Sequence, residues 1–211
     1  MSRHLILDSH LDLGFSALQI NRDLTQPATT IRTHDPLDVL DNFGSCTVSL
    51  PELRRGGVGI VCATVMSRLD PGDRATRTGM YTQAQTHGVG RGHLAYYQAL
   101  ERLGHVEMIH TSQQLDDVET RWREALNRDE CPGNPIGIIL SMESADPILG
   151  PDQVPEWHAL GLRMVSLSHY GTSTYSHGTA TEGGLLPPAR PLLRALAEAG
   201  IIVDVTHLTH A

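Results

Sequence analysis

"IGIILSMES", residues 136–144, runs through four aliphatic side chains before it meets a single carboxylate, Glu143. A short run rich in Ile and Leu reads as a strand covered by helices on one side and a core on the other. The charged group stands at its C-terminal end. The same format recurs along the chain. "HLILDSHLDL" (4–13) ends in His10 and Asp12, "RMVSLSH" (163–169) in His169, and "IIVDVTH" (201–207) in His207. "VGIVCATVM" (58–66) and "VEMIHT" (106–111) complete a set of six strand candidates.

Helical stretches separate them. "RGHLAYYQALERLG" (91–104) carries Leu94, Tyr97 and Leu100 and stops at Gly104. "TSQQLDDVETRWREALNR" (111–128) opens on Thr111 or Ser112 as a cap, with acids early and bases late. "GPDQVPEWHALGL" (150–162) and "PPARPLLRALAEAG" (187–200) start at prolines, and the second ends at Gly200. Alternating strands and helices predict a parallel sheet with right-handed crossovers, an α/β fold. Segments 20–50 and 67–90 are irregular and are expected as excursions, the second becoming helical from about Gly79.

Parallel α/β folds bind ligands at the C-terminal edge of the sheet, and in a barrel every strand end faces one mouth. Four strand ends here offer groups that ligate metals. His10 and Asp12 are two residues apart, so a strand aims both to one side. Asp8 shares that face. It is read either as a carboxylate that orients a ligand or as one with its own structural hydrogen bonds.

Composition bounds the rest. The 211 residues suffice for one sizeable core, and the chain is read as a single domain, 1–211. A net charge of −8, from 24 acids against 16 bases, disfavours nucleic acid and anionic membrane as partners. Twelve histidines stand beside only two Phe and two Trp. Cys46, Cys62 and Cys131 form no CxxC pair, which fits reduced thiols. Asp8 and His10 interrupt the N-terminal apolar run, so it does not read as a signal peptide. No stretch approaches the roughly 20 apolar residues of a membrane span. The expected location is cytoplasmic.

These residues resemble the membrane (renal) dipeptidase family of zinc peptidases. "LDSHLDLG" (7–14) is similar to the family's Asp-Gly-His-Asn-Asp start, with Ser9 and Leu11 replacing Gly and Asn. "SLPELRRGGVG" (49–59) resembles its Leu-x-Arg-x-Gly-Gly-Val-Gly stretch, and "LGLRMVSLSHYGTS" (160–173) its Gly-x-Arg-x-Leu-x-Leu-x-His segment. "EGGLLPPARPLLRALAEAGIIVDVTHLT" (182–209) resembles its Gly-Leu pattern followed by Gly-x-x-x-Asp-x-x-His. "SMESAD" (141–146) lies where the family has Glu-Gly-Gly-His, so Asp146 replaces a histidine.

The resemblance implies a TIM-type (β/α) barrel, incomplete here, with about six of eight strands. It implies two zinc ions in the family and one or two in this chain. His10 and Asp12 would bind one zinc, Glu143 would bridge both, and His207 would bind the second. His169 would lie near the substrate carbonyl. The implied reaction is hydrolysis of a small peptide, a dipeptide, through a metal-bridging hydroxide. The family's next histidine ligand, substrate-binding arginine and aspartate near the bridging water find no counterpart before Ala211. His210 is read as a solvated terminal histidine. A C-terminally incomplete barrel would leave strand edges open and favour a homo-oligomer. Two other readings stay open: a truncated, non-catalytic metal-binding or assembly module, and an amidohydrolase acting on cyclic amides.

Overall fold

A computed structural model of the chain describes residues 4–70, 79–128 and 130–210. The elements run β1 (Ile6–Leu11), α1 (Leu13–Leu18), α2 (Ala28–Arg32), α3 (Leu37–Phe43), α4 (Leu50–Gly56), β2 (Val58–Met66), β3 (Arg68–Leu69) and β4 (Gly79–Met80). They continue with α5 (Gln83–Arg102), β5 (Val106–Met108), α6 (Ser112–Arg128), β6 (Ile136–Glu143), α7 (Val154–Ala159), β7 (Leu162–Ser166), α8 (Ala189–Glu198) and β8 (Ile202–Asp204). The chain forms two compact units, residues 1–63 with 96–139, and residues 64–95 with 140–211.

In the first unit β1 lies parallel on β2, with Ile6 opposite Val58 and Leu11 opposite Ala63. β5 lies parallel on β6, Val106 opposite Ile136. Helix α6 buries Val118, Trp122, Ala125 and Leu126, a spacing that puts all four on one face. Trp122 then decides what the "GGVG" stretch must be. Gly57 caps α4 with φ +76, a left-handed conformation that costs glycine little. Gly59 has no room for a side chain, because a Cβ there would stand 2.4 Å from Trp122 Cδ2 and 2.7 Å from Leu5 Cδ1.

Gly59→Ala is therefore expected to cost about 3 kcal/mol or more by overpacking. Gly56→Ala meets nothing nearer than 3.8 Å and sits in a helix, so it should be neutral or slightly stabilising. Urea melts of the two variants give the comparison. Equal midpoints would contradict the packing described.

The irregular stretch 20–50 contains two short helices, α2 and α3, tied together by a buried guanidinium. Arg22 donates to Asp35 at 3.1 and 2.8 Å and to the Gly44 carbonyl at 2.5 Å. Its charge is matched inside the unit, which is what makes its burial tolerable.

In the second unit β6, β7 and β8 run side by side and parallel, with Ser141 opposite Met164 and Met164 opposite Ile202. Trp157, Tyr175, Leu140, Met142, Ile148 and Leu192 are fully buried there. Helix α8 buries Ala189, Leu192 and Leu196 and is followed by Gly200 at φ +70.

Several boundaries differ from expectation. The strands are shorter than the apolar runs, so Asp12, His169 and His207 lie just past strand ends rather than within strands. A covered β1 is the expectation, yet Ile6 and Leu7 are 45% and 49% exposed. Among the described residues it pairs with β2 alone, and an edge strand keeps one side open. Helix α5 begins at Gln83, not near Gly79 or at 91, and a third of the 67–90 excursion (71–78) lies outside the described residues. Its start is set by a reciprocal cap: Gln85 N–H donates to Thr82 Oγ1 and Thr82 N–H to Gln85 Oε1. Thr111 and Gln114 cap α6 in the same way, so of the two candidate caps it is Thr111 that serves.

Candidate metal centre

β6 delivers Glu143 to the second unit with its side chain 6% exposed. Two loops bring imidazoles to it. His207 Nε2 lies 3.1 Å from Glu143 Oε1, and His169 Nε2 lies 3.6 Å from the same oxygen. The two rings meet edge to face with centroids 4.4 Å apart.

The loop after β7 holds both histidines at once. Thr179 N–H donates to the His169 carbonyl at 3.0 Å, and Gly178 N–H donates to the Gly171 carbonyl at 2.8 Å. Thr179 Oγ1 then lies 2.8 Å from His207 Nδ1. A hydroxyl on Nδ1 fixes the ring and leaves Nε2 for Glu143 or an ion. His207 itself has φ +68, a left-handed conformation that turns the chain just past β8. Tyr170 is half-exposed and packs against both imidazoles, at 4.9 Å from His169 and 5.5 Å from His207. Neither Tyr170 nor Thr179 stands out in the sequence. No spacing rule connects residue 179 to residue 207; only the fold does.

The donor set suits a divalent cation. One carboxylate oxygen and two imidazole nitrogens lie within 4.8 Å of one another. Donors bound at 2.0–2.1 Å around a tetrahedral ion lie about 3.3 Å apart. The separations of 3.1 and 3.6 Å bracket that figure. A buried carboxylate is costly without a cation or protonated partner, and here two imidazoles face it.

The first unit holds the remaining candidates. His10 Nε2 lies 3.6 Å from Asp12 Oδ1, and both side chains are about two-fifths exposed. Asp8 accepts the His10 N–H at 3.0 Å, so its carboxylate shapes the backbone beside the histidine. Asp12 occupies the position before α1. Two residues on, Gly14 N–H donates to Tyr97 Oη at 2.8 Å. Burial, reinforced by the negative charge of Asp12, pushes the Tyr97 phenol far above its usual range, so it stays protonated. His210 is exposed, as expected of it.

Fold and donors define a class: an α/β protein of the incomplete TIM-barrel type, with side chains that could hold a metal ion at or just past its strand ends. The whole chain, residues 1–211, matches the profile of the membrane dipeptidases, peptidase family M19. The chain belongs to that family. Among curated proteins no sequence matches it. Among solved structures it is similar to the dipeptidase AC, a metallopeptidase of family M19, at 20% identity and TM-score 0.66, covering 100% of this chain and 58% of that one. A metallopeptidase from Rhodobacter sphaeroides, liganded with a phosphinate mimic of the dipeptide L-Ala-D-Ala, gives 18% identity and TM-score 0.67, with 99% and 60% covered. The probable dipeptidase PvdM from Pseudomonas aeruginosa gives 16% and 0.64, with 99% and 48% covered. The chain thus spans about three-fifths or less of the length of these structures. Among the described residues no helix is long and apolar enough to cross a membrane.

Proposed function

We propose that this chain carries the metal-binding part of a zinc-dependent dipeptidase. The observation that carries the reading is the buried Glu143 carboxylate facing two imidazoles, in a chain that matches the dipeptidase family throughout. In this reading His10 and Asp12 would hold one zinc ion, and Glu143 and His207 would hold a second. Asp8 keeps His10 in place through its backbone. Zinc ions held there supply Lewis acidity at a peptide carbonyl and acidify water. His169 then donates a hydrogen bond to the oxygen that gains charge as the carbonyl is attacked. Thr179 holds His207 in the tautomer that leaves Nε2 available. The substrate is a dipeptide, and the buried thiols of Cys46, Cys62 and Cys131, none in a disulfide, favour a reducing, cytoplasmic setting.

The 3.6 Å separation of His169 Nε2 from Glu143 Oε1 favours a second role for that residue, as a third protein donor to the ion beside Glu143. Titration with Co²⁺ separates the two. His169→Gln should leave stoichiometry unchanged if the residue serves the substrate, and should lower it if the residue is a ligand.

The reaction itself is tested with a panel of dipeptides and cyclic amides, assayed with added Zn²⁺ and after chelation. Zinc-dependent turnover of dipeptides is expected. Turnover of cyclic amides alone would replace this reading with the amidohydrolase one. Metal uptake without turnover of either class would favour a metal-binding or assembly module.

A further inference from the structure

Glu143 is the last residue of β6, and the residue that follows it is strained. Ser144 has φ +71, a conformation that costs a non-glycine residue about 1–2 kcal/mol. The strain sits one peptide bond from the carboxylate around which the candidate centre is built. Whatever holds Ser144 left-handed also sets the direction in which Glu143 points.

Two bonds hold it. Ser144 N–H donates to Ser166 Oγ at 3.2 Å. Ser144 Oγ donates to Asp146 Oδ2 at 2.9 Å, closing the turn from the inside. Asp146 has no exposed surface at all, and its carboxylate is fully engaged. Oδ2 also accepts the Leu69 N–H at 2.8 Å, and Oδ1 accepts the Thr174 N–H at 2.8 Å. Its backbone carbonyl accepts Thr86 Oγ1 at 2.9 Å. One buried carboxylate therefore joins β3, the turn after β6 and the loop after β7 that carries His169. Three donors, none of them charged, converge on it. A buried carboxylate tolerates that only when each oxygen accepts hydrogen bonds with good geometry.

We infer that Ser144 and Asp146 form a positioning pair: the Asp146 carboxylate holds Ser144 in its left-handed conformation and thereby aims Glu143 at His207 and His169. The inference rests on the dipeptidase reading only where it concerns metal affinity; the aim of Glu143 is a property of the metal-free chain. Asp146 touches none of the reacting groups and acts through the turn.

The pair makes a pattern of variants that bulk loss of stability would not. Asp146→Asn keeps the shape but sets an amide N–H₂ against a donor on one side. Ser144→Ala keeps the strain and removes the hydroxyl that offsets it. Ser144→Gly loses the same hydroxyl but adopts φ +71 freely. The experiment is a set of crystal structures of the metal-free wild type, Asp146→Asn, Ser144→Ala, Ser144→Gly and Ser144→Gly/Asp146→Asn, with Co²⁺ titrations of each.

Asp146→Asn and Ser144→Ala are expected to break the 3.1 Å contact between Glu143 and His207 and to weaken Co²⁺ binding about tenfold, the usual size of an orienting effect. Ser144→Gly should bind Co²⁺ as the wild type does, and the double variant should regain most of what Asp146→Asn loses. If Asp146→Asn fails to fold, the contrast between Ser144→Ala and Ser144→Gly decides alone. Glu143 unmoved in both Asp146→Asn and Ser144→Ala, or equal losses in Ser144→Ala and Ser144→Gly, would overturn the inference. A wild type that binds no Co²⁺ would sink the metal reading instead. The crystallographic distances of Glu143 from His207 would then still uphold or overturn the pair.

Discussion

On the metallopeptidase reading zinc should raise the melting temperature of the wild type, and Glu143→Gln is expected to abolish that rise while the metal-free chain stays folded. The two halves of that result have opposite physical origins. Without metal, Glu143 is a buried carboxylate whose desolvation must be offset by two imidazoles at 3.1 and 3.6 Å. A glutamine of the same shape has no charge to desolvate and its amide can still hydrogen-bond the facing imidazoles, so the metal-free chain should lose little stability. With metal, the same carboxylate is the strongest donor of the cluster, and an amide oxygen is a poor substitute. An ion at a hundred times its dissociation constant stabilises the folded state by about 2.7 kcal/mol, all of which the variant should forfeit. On the dipeptidase reading, turnover of dipeptides should fall at least about a thousandfold, or roughly 4 kcal/mol in the barrier. Thermal scans with and without Zn²⁺ are the measurement. A Gln variant that keeps its zinc-dependent shift would mean that Glu143 is no ligand.

Gly178→Ala is expected to damage the same centre without touching a ligand. A Cβ at Gly178 would stand 2.1 Å from the His169 carbonyl oxygen and 2.8 Å from that of Gly171. Carbon and oxygen normally approach no closer than about 3.3 Å, so the backbone has to move by about an ångström. The bonds from Gly178 N–H to Gly171 and from Thr179 N–H to His169 cannot survive such a shift. With Thr179 displaced, His207 loses the 2.8 Å partner on its Nδ1. One methyl group thus uncouples His169 and His207 together. The expected cost is about 2–4 kcal/mol of stability and at least about tenfold in metal affinity. Gly200→Ala provides the contrast. Its φ of +70 makes alanine strained, but no atom lies within 4 Å of the added Cβ. It should cost about 1 kcal/mol and leave metal affinity unchanged. Similar metal affinities in the two alanine variants would show that the loop after β7 does not set the histidines.

Parallel α/β architecture is legible in the order of residues alone, because four aliphatic runs each ending in an ionisable group are best buried as strands with that group at one edge. Glu143, His169 and His207 stand out as candidates for the same reason, and a glycine-rich motif marks Gly57 and Gly59. Local rules that spacing expresses are legible too, such as the buried stripe of Val118, Trp122 and Ala125 on α6. The Thr82–Gln85 cap is equally local, yet it stands in a polar stretch with no apolar stripe beside it, and the expected start of α5 falls near Gly79 or at 91 instead of at Gln83. Contacts that join residues far apart in the chain come only with the fold. Thr179 meets His207, Tyr170 lies against both imidazoles, and Asp146 gathers donors from positions 69, 144 and 174. Exposure of β1 is likewise illegible, since a Leu-rich run reads the same at an edge as in the middle of a sheet. Periodicity records the demand of a single element for burial or for a cap. Which distant groups satisfy a lone pair, and which backbone atoms leave no room for a methyl, is settled only when the loops close on one another.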